Sequence, residues 1–172
     1  ICGSEDNYKI IYKSNFEASD LNFKIFSARR LPDFVHYQIV KCNRDNLVRS
    51  NPIFDNLGIE ELYKDSKFTY AEQINNITAS YLAVLNKVLS KSSKDIKILE
   101  IGCGNGFMLK TLIGKGYCNV YGIEPSSDAA LNADEKIKDK IIVGTLKYGL
   151  FENETFDLIF FFQTFDHIFD PS

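Results

Sequence analysis

Glu100-Ile101-Gly102-Cys103-Gly104-Asn105-Gly106 is the stretch of this chain whose residue types and spacing could hold a ligand. Three glycines stand at alternate positions, so the backbone can turn tightly there and approach a bound molecule without side chains in the way. An acid precedes the first glycine by two residues, and a second acid, Glu124, falls 18 residues beyond Gly106. A carboxylate carries two acceptor oxygens and can take hydrogen bonds from both hydroxyls of a ribose. A bare loop followed by such an acid points to a nucleoside-containing ligand. The pattern is not the dinucleotide fingerprint Gly-x-Gly-x-x-Gly, because Phe107 stands where the third glycine would be.

The surrounding residues supply elements that could position these groups. Ile98 to Ile101 is a short apolar run that reads as a buried strand of a parallel sheet. Phe107 to Ile113 reads as a helix ended by Gly114 or Gly116. Strand, glycine loop and helix together form the opening unit of a nucleotide-binding α/β domain. Asn119 to Glu124 is a second strand with its acid at the carboxyl end, followed by a helix that Ser126 or Ser127 caps and that runs to about Ile137. Lys140 to Gly144 is a third strand. Leu158 to Phe162, apolar throughout, reads as a central strand buried on both faces. Upstream, Ile74, Ile77, Tyr81, Leu82, Leu85, Val88 and Leu89 recur at helical spacing, predicting a helix over 70–89 with Thr69 as N-cap and Glu72 completing a capping box.

Glu-x-Gly-x-Gly-x-Gly over residues 100–106 resembles the first motif of the class I S-adenosylmethionine-dependent methyltransferases. The resemblance implies an α/β fold with a Rossmann-like sheet, helices on both faces, and S-adenosyl-L-methionine as cofactor. It puts Glu100, Gly102, Cys103, Gly104, Asn105, Gly106, Glu124 and Pro125 among the cofactor-binding residues. The loop would wrap the methionine part, Glu100 would help hold its amino group, directly or through water, and Glu124 would take the ribose. The family flanks the adenine with the residues after the third strand, here Gly144-Thr145-Leu146. Its usual acid is missing there, which leaves Thr145 or a backbone amide. Phe156-Asp157-Leu158-Ile159, with the later His167-Ile168-Phe169-Asp170-Pro171, resembles the fourth motif of small-molecule methyltransferases. By that resemblance Gln163 and Thr164 face the sulfonium end, His167 is a candidate base or substrate contact, and Tyr70 is a weaker candidate for the methionine end. The family's sheet has three further strands, so the likeness covers its amino-terminal half, residues 67–172. The fourth strand would then be an open apolar edge, covered by a second copy, a partner or further residues.

Residues 1–66 read differently. Val35 to Val40 alternates as a strand should, Cys42 to Asn46 reads as a turn, and Leu47 to Ser50 as a second strand, so a β-hairpin is expected. Asn22 to Phe26 is a further candidate strand. The segment resembles the zinc-binding amino-terminal domain of one methyltransferase group, which carries two Cys-x-x-Cys-Gly pairs and a Ser-Asn-Pro. Cys2-Gly3 resembles the tail of the first pair, Cys42 opens the second, Asp45 stands where its other cysteine would be, and Ser50-Asn51-Pro52 matches the downstream element. A structural zinc wants four ligands, usually thiolate or imidazole. Cys2 and Cys42 with Asp45 or His36 make a poor set, and a hairpin domain without metal is the expectation.

Composition narrows the partners. The chain has 172 residues, 45% of them hydrophobic, and a net charge of −3, with Lys interspersed among acids. That argues against a general nucleic-acid binder, and no apolar run approaches the length of a membrane span. Four cysteines without a close pair favour reduced thiols in a cytoplasm. The expected function is methyl transfer to a small molecule such as a sugar or related metabolite. A non-catalytic methyltransferase-like binding module and an NAD-dependent oxidoreductase are the competing readings.

Overall fold

A computed structural model describes residues 6–17, 36–52 and 71–165. The chain divides into two compact units, residues 1–62 and 63–172. In the first, β1 (Tyr8–Tyr12), β2 (Ile39–Cys42) and β3 (Val48–Ser50) form an antiparallel sheet in the order β1-β2-β3. The expected hairpin is β2-β3, paired Ile39 to Ser50 through Lys41 to Val48. β2 begins later than the alternation suggests and continues through Cys42. β1 is an addition to the sequence reading. Its pairing with β2 slips between Ile10 and Tyr12, and that irregularity breaks the period-two pattern which would have marked Tyr8-Lys9-Ile10-Ile11-Tyr12 as a strand. Val40 is fully buried. In the turn, the Cys42 sulfur accepts a hydrogen bond from the Arg44 amide and the Asp45 carboxylate accepts one from Leu47 at 2.9 Å, so Asp45 shapes the turn. Cys2 and the stretch 22–26 lie outside the described residues.

The second unit carries a parallel sheet in the order β6-β5-β4-β7, built from β4 (Ile98–Ile101), β5 (Val120–Glu124), β6 (Ile141–Val143) and β7 (Leu158–Phe160). β4 pairs Ile98 with Val120 on one side and with Leu158 on the other. Strand order reverses direction about β4, and in open α/β sheets such a switch point leaves a crevice outside the carboxyl ends of the strands.

Among the described residues, three helices accompany the sheet: α1 (Ile74–Leu89), α2 (Phe107–Gly114) and α3 (Ser127–Leu131). Leu85 and Leu89 of α1, Met108, Leu109 and Leu112 of α2, and Ala133 and Ile137 beyond α3 share one buried cluster with Ile98, Val120 and Phe160. Alternation sends Leu99, Tyr121 and Ile159 to the opposite face, where Tyr121 meets Phe156 edge-on at 5.8 Å and Phe151 in turn meets Phe156. The sequence predicts helices on both faces; among the described residues, this second face is met by the aromatic segment before β7.

Several boundaries move. α1 starts after a 3₁₀ turn at Ala71–Gln73, and its N-cap is Gln73, which makes no side-chain cap bond. Thr69 lies outside the described residues. Val88 is half exposed although the helical spacing puts it on the apolar stripe. α3 stops at Leu131, six residues early. Asn132 turns its amide back to the Asp128 carbonyl, and the Asp134 carboxylate accepts the Lys136 amide, local bonds that compete with continued helix. β7 has three residues and is the last strand of the sheet among the described residues, and Ile159, on the face away from the helices, is 52% exposed instead of buried. No helix among the described residues is long and apolar enough to cross a membrane.

Tyr117 joins the end of α1 to the turn before β5. Its ring is buried, its hydroxyl donates to the Leu89 carbonyl at 2.8 Å, and Lys94 Nζ lies 3.7 Å from the ring centroid. Tyr117→Phe keeps the packing and removes the hydroxyl donor. It is expected to lower unfolding free energy by about 1 kcal/mol, read as a shift in urea midpoint at unchanged slope.

Candidate functional site

The carboxyl end of β4 runs into the glycine loop, and the loop is tied down by β5. The amides of Gly102 and Cys103 both donate to the Ile123 carbonyl, at 2.8 and 3.1 Å, and the Gly106 amide donates to the Cys103 carbonyl at 2.9 Å. Gly102, Gly104 and Gly106 all have φ between 57° and 75°, the left-handed region that non-glycine residues rarely adopt.

Glu124 closes the arrangement from β5. One carboxylate oxygen accepts the Gly104 amide and the other accepts the Ser126 amide, each at 2.8 Å, while the Glu124 carbonyl accepts the Gly144 amide beyond β6. A single residue thus joins the ends of β5 and β6 to the loop after β4. An ionised carboxylate offers about four lone-pair positions, so two backbone donors leave room for two more. Ser126 also starts the next helix, because its hydroxyl accepts the Ala129 amide at 3.2 Å as the N-cap of α3. Pro125, half-buried, links the two.

Glu100 is buried to 2% exposure beside this acid, and its Oε2 has no hydrogen-bond partner among the described residues. Burial pushes the Glu100 carboxyl well above the ordinary carboxylate range, and the charge of Glu124 pushes the same way. Glu124 is also raised by burial, against the pull of the Ser126 and Gly104 amides, which favour its ionised form. Among the described residues neither acid has a Lys, Arg or His partner. The pair is therefore short of positive charge. Asn105 Oδ1 is likewise buried without a partner.

Thr164 caps the near side. Its hydroxyl lies within hydrogen-bond distance of the carbonyls of Ile101 (3.3 Å) and Phe162 (3.1 Å). A Cβ built on Gly102 would come within 2.5 Å of the Thr164 hydroxyl oxygen, so the missing side chain at Gly102 makes space for the protein's own threonine. Gly122, the register partner of Glu100, leaves room for the Cys103 sulfur at 2.5 Å in the same sense. The Cys103 thiol is buried in the core cluster, with its pKa pushed up by burial and by both glutamates so that it stays protonated, and only the backbone of Cys103 belongs to the loop surface. Gln163 is exposed with φ of 52°, and Thr145 is half-buried just beyond β6. Tyr70 and His167 lie outside the described residues.

One group at this end was not anticipated. Tyr81 of α1 stacks on Phe162 at 4.0 Å and leans on Phe107 at 6.2 Å, joining the segment after β7 to the start of α2. Phe107 thus fills by aromatic contact the position that a dinucleotide fingerprint keeps bare.

The match to a known family falls on the half of the chain that carries this site. Residues 99–172 match the family model of a methyltransferase domain. An uncharacterized methyltransferase of Geobacillus sp. strain WCH70 is 38% identical over 81 residues, 47% of this chain and 37% of that protein. One of Anoxybacillus flavithermus is 34% identical over 119 residues, 69% of this chain and 54% of that protein. The matches therefore span about half, or less, of these relatives' length. Among solved structures, the magnesium protoporphyrin IX methyltransferase of Synechocystis, determined with SAH, superposes with a TM-score of 0.43 at 16% identity, covering 67% of this chain and 57% of that one.

Proposed function

We propose that the crevice at the carboxyl ends of β4 and β5 binds S-adenosyl-L-methionine, and that the whole protein transfers its methyl group to a small molecule such as a sugar or related metabolite. The observation that carries this reading is the Glu124 carboxylate, held by the Gly104 and Ser126 amides at the mouth of the glycine loop with acceptor capacity to spare. The unpartnered Glu100 and Asn105 oxygens fit a ligand that brings donors and positive charge. In this reading Glu124 takes the ribose hydroxyls, the loop from Gly102 to Gly106 lies along the methionine part with Glu100 toward its amino group, and Thr145 lies toward the adenine. Gln163 and Thr164 line the sulfonium end.

When bound, the cofactor supplies an electrophilic methyl group on a good leaving group. What remains for the chain is largely to orient, since fixed geometry alone can supply roughly 7–11 kcal/mol in well-aligned cases. The NAD reading loses support from Phe107 and its contact with Tyr81. A second copy pairing along the open side of β7, and a cytoplasmic setting, belong to the same proposal.

Titration calorimetry of the 172-residue chain with S-adenosylhomocysteine is the test. Saturable one-to-one heat is expected. Absence of heat at high protein concentration, with enhanced NADH fluorescence on mixing instead, would replace this reading by the oxidoreductase one.

A further inference from the structure

Two carboxyl groups are buried side by side at the end of this sheet, and their surroundings differ. Glu124 has a backbone amide on each oxygen at 2.8 Å. Glu100 is 2% exposed, and its Oε2 meets no donor among the described residues. Its register partners are Gly122 on β5 and Phe160 on β7, neither of which titrates. The side chains that α1 and α2 bury in the core are Leu85, Leu89, Met108, Leu109 and Leu112. The charge that bears on Glu100 is that of Glu124, and the Cys103 thiol nearby is held in its neutral form by burial and by the two glutamates. An ionised Glu100 would therefore be a second buried negative charge with no compensating cation among the described residues.

A buried carboxyl in that position gains by keeping its proton, because an isolated ion costs several kcal/mol to hold away from water. The balance changes when a cation enters. An ammonium group beside Glu100 supplies both the missing donor and the missing charge, and the ionised form becomes the favoured one.

We propose that Glu100 is a charge-selecting residue that holds its proton in the ligand-free chain and gives it up when a ligand's cationic group takes its place. The step balances simply: the carboxylic O–H releases its proton to solvent, and the carboxylate left behind pairs with a cation that is already charged in solution. This rests on the adenosyl-ligand reading above and adds to it a reason for selectivity. A ligand with the same adenosine but no ammonium group would have nothing to exchange for the proton.

The sign follows from the proton count. The complex holds one proton fewer than its separated components, so affinity rises with pH while free Glu100 remains protonated, by up to about tenfold per pH unit.

The 172-residue chain is titrated with S-adenosylhomocysteine at matched pH near neutrality, in phosphate and in Tris, whose ionisation heats differ widely. Methylthioadenosine, which lacks the amino-acid portion, is the second probe. Net proton release on binding S-adenosylhomocysteine is expected, with none for methylthioadenosine and none for either ligand with Glu100→Gln. Equal heats in the two buffers for the unaltered chain would overturn the exchange while leaving the adenosyl-ligand reading intact. A proton still released by the glutamine variant would overturn it too, by placing the source elsewhere. If neither ligand binds, the parent reading falls and this one with it. The comparison of buffers and ligands on the unaltered chain decides the matter even if the variant folds poorly.

Discussion

Glu124→Ala is expected to abolish measurable binding of S-adenosylhomocysteine and to destabilise the ligand-free chain as well. The two effects have one structural origin. Glu124 is the partner of the Gly104 and Ser126 amides, at 2.8 Å each, in a place where the carboxylate itself is largely buried. Truncation leaves two backbone donors without an acceptor, and a buried donor left unpaired costs about 1–3 kcal/mol. The loop after β4 then loses its tie to the end of β5, and a ligand loses both carboxylate oxygens. Charge-assisted hydrogen bonds contribute roughly 1.5–3 kcal/mol each, so losing two reduces affinity by at least about a hundredfold. Glu124→Gln separates the roles. Its carbonyl oxygen can serve one amide, but its NH₂ group faces the other amide, donor against donor. It should recover part of the stability and little of the affinity. Urea denaturation and calorimetry on the same preparations check both halves. An alanine variant that folds and binds S-adenosylhomocysteine as tightly as the unaltered chain would remove Glu124 from the site.

The elements that converge on this site were legible because each carries a local signal that tertiary context does not reverse. β4 is an apolar run whose neighbours on both sides are also strands, and its burial follows from that position. The glycines of the loop are needed where the backbone takes positive φ, which is a property of the residue type alone. The acid at the end of β5 follows from strand length and parity. What the sequence could not state is which atoms fill the spaces that glycines leave. Spacing alone suggests that Gly102 is bare for a ligand, whereas the Thr164 side chain, 62 positions later, occupies that spot. The other misses have equally local causes. β1 hides behind an irregular register, and α3 ends early where Asn132 and Asp134 bond to their own backbone. β7 reads as a central strand because apolar runs record only that a strand is rich in large side chains. They do not say whether a neighbour covers both its faces, and Ile159 is open. Tyr81 looked like one more member of an apolar stripe, and its stacking on Phe162 depends on a loop that no periodicity predicts.

The second large effect concerns the stability of the ligand-free chain as a function of pH, and it centres on Glu100. Burial holds the folded-state Glu100 carboxyl well above its ordinary value of 4.5, so the folded chain binds that proton more tightly than the unfolded one. The stabilising contribution is complete below the ordinary carboxyl range. It is lost as pH rises from there through the elevated folded-state value, with a slope approaching about 1.4 kcal/mol per pH unit while the two states differ by a full proton. Glu124 contributes with the same sign, moderated by its two amides. Asp134, held low by its bonds to Lys110 and the Lys136 amide, contributes with the opposite sign, and its window lies below the ordinary carboxyl range. Glu100→Gln has no proton to lose, so the difference between the two stability curves reports the Glu100 titration together with its coupling to Glu124. The variant should be the more stable of the two near neutral pH, the gap should close as pH falls toward the carboxyl range, and saturating S-adenosylhomocysteine should reverse the order by stabilising more strongly the chain that can offer a carboxylate. Melting temperatures of both chains across that range, with and without ligand, measure this directly. Parallel curves would mean that the buried oxygen finds its compensation from groups already in the protein, and the pairing of an unsatisfied acid with an incoming cation would lose its physical basis.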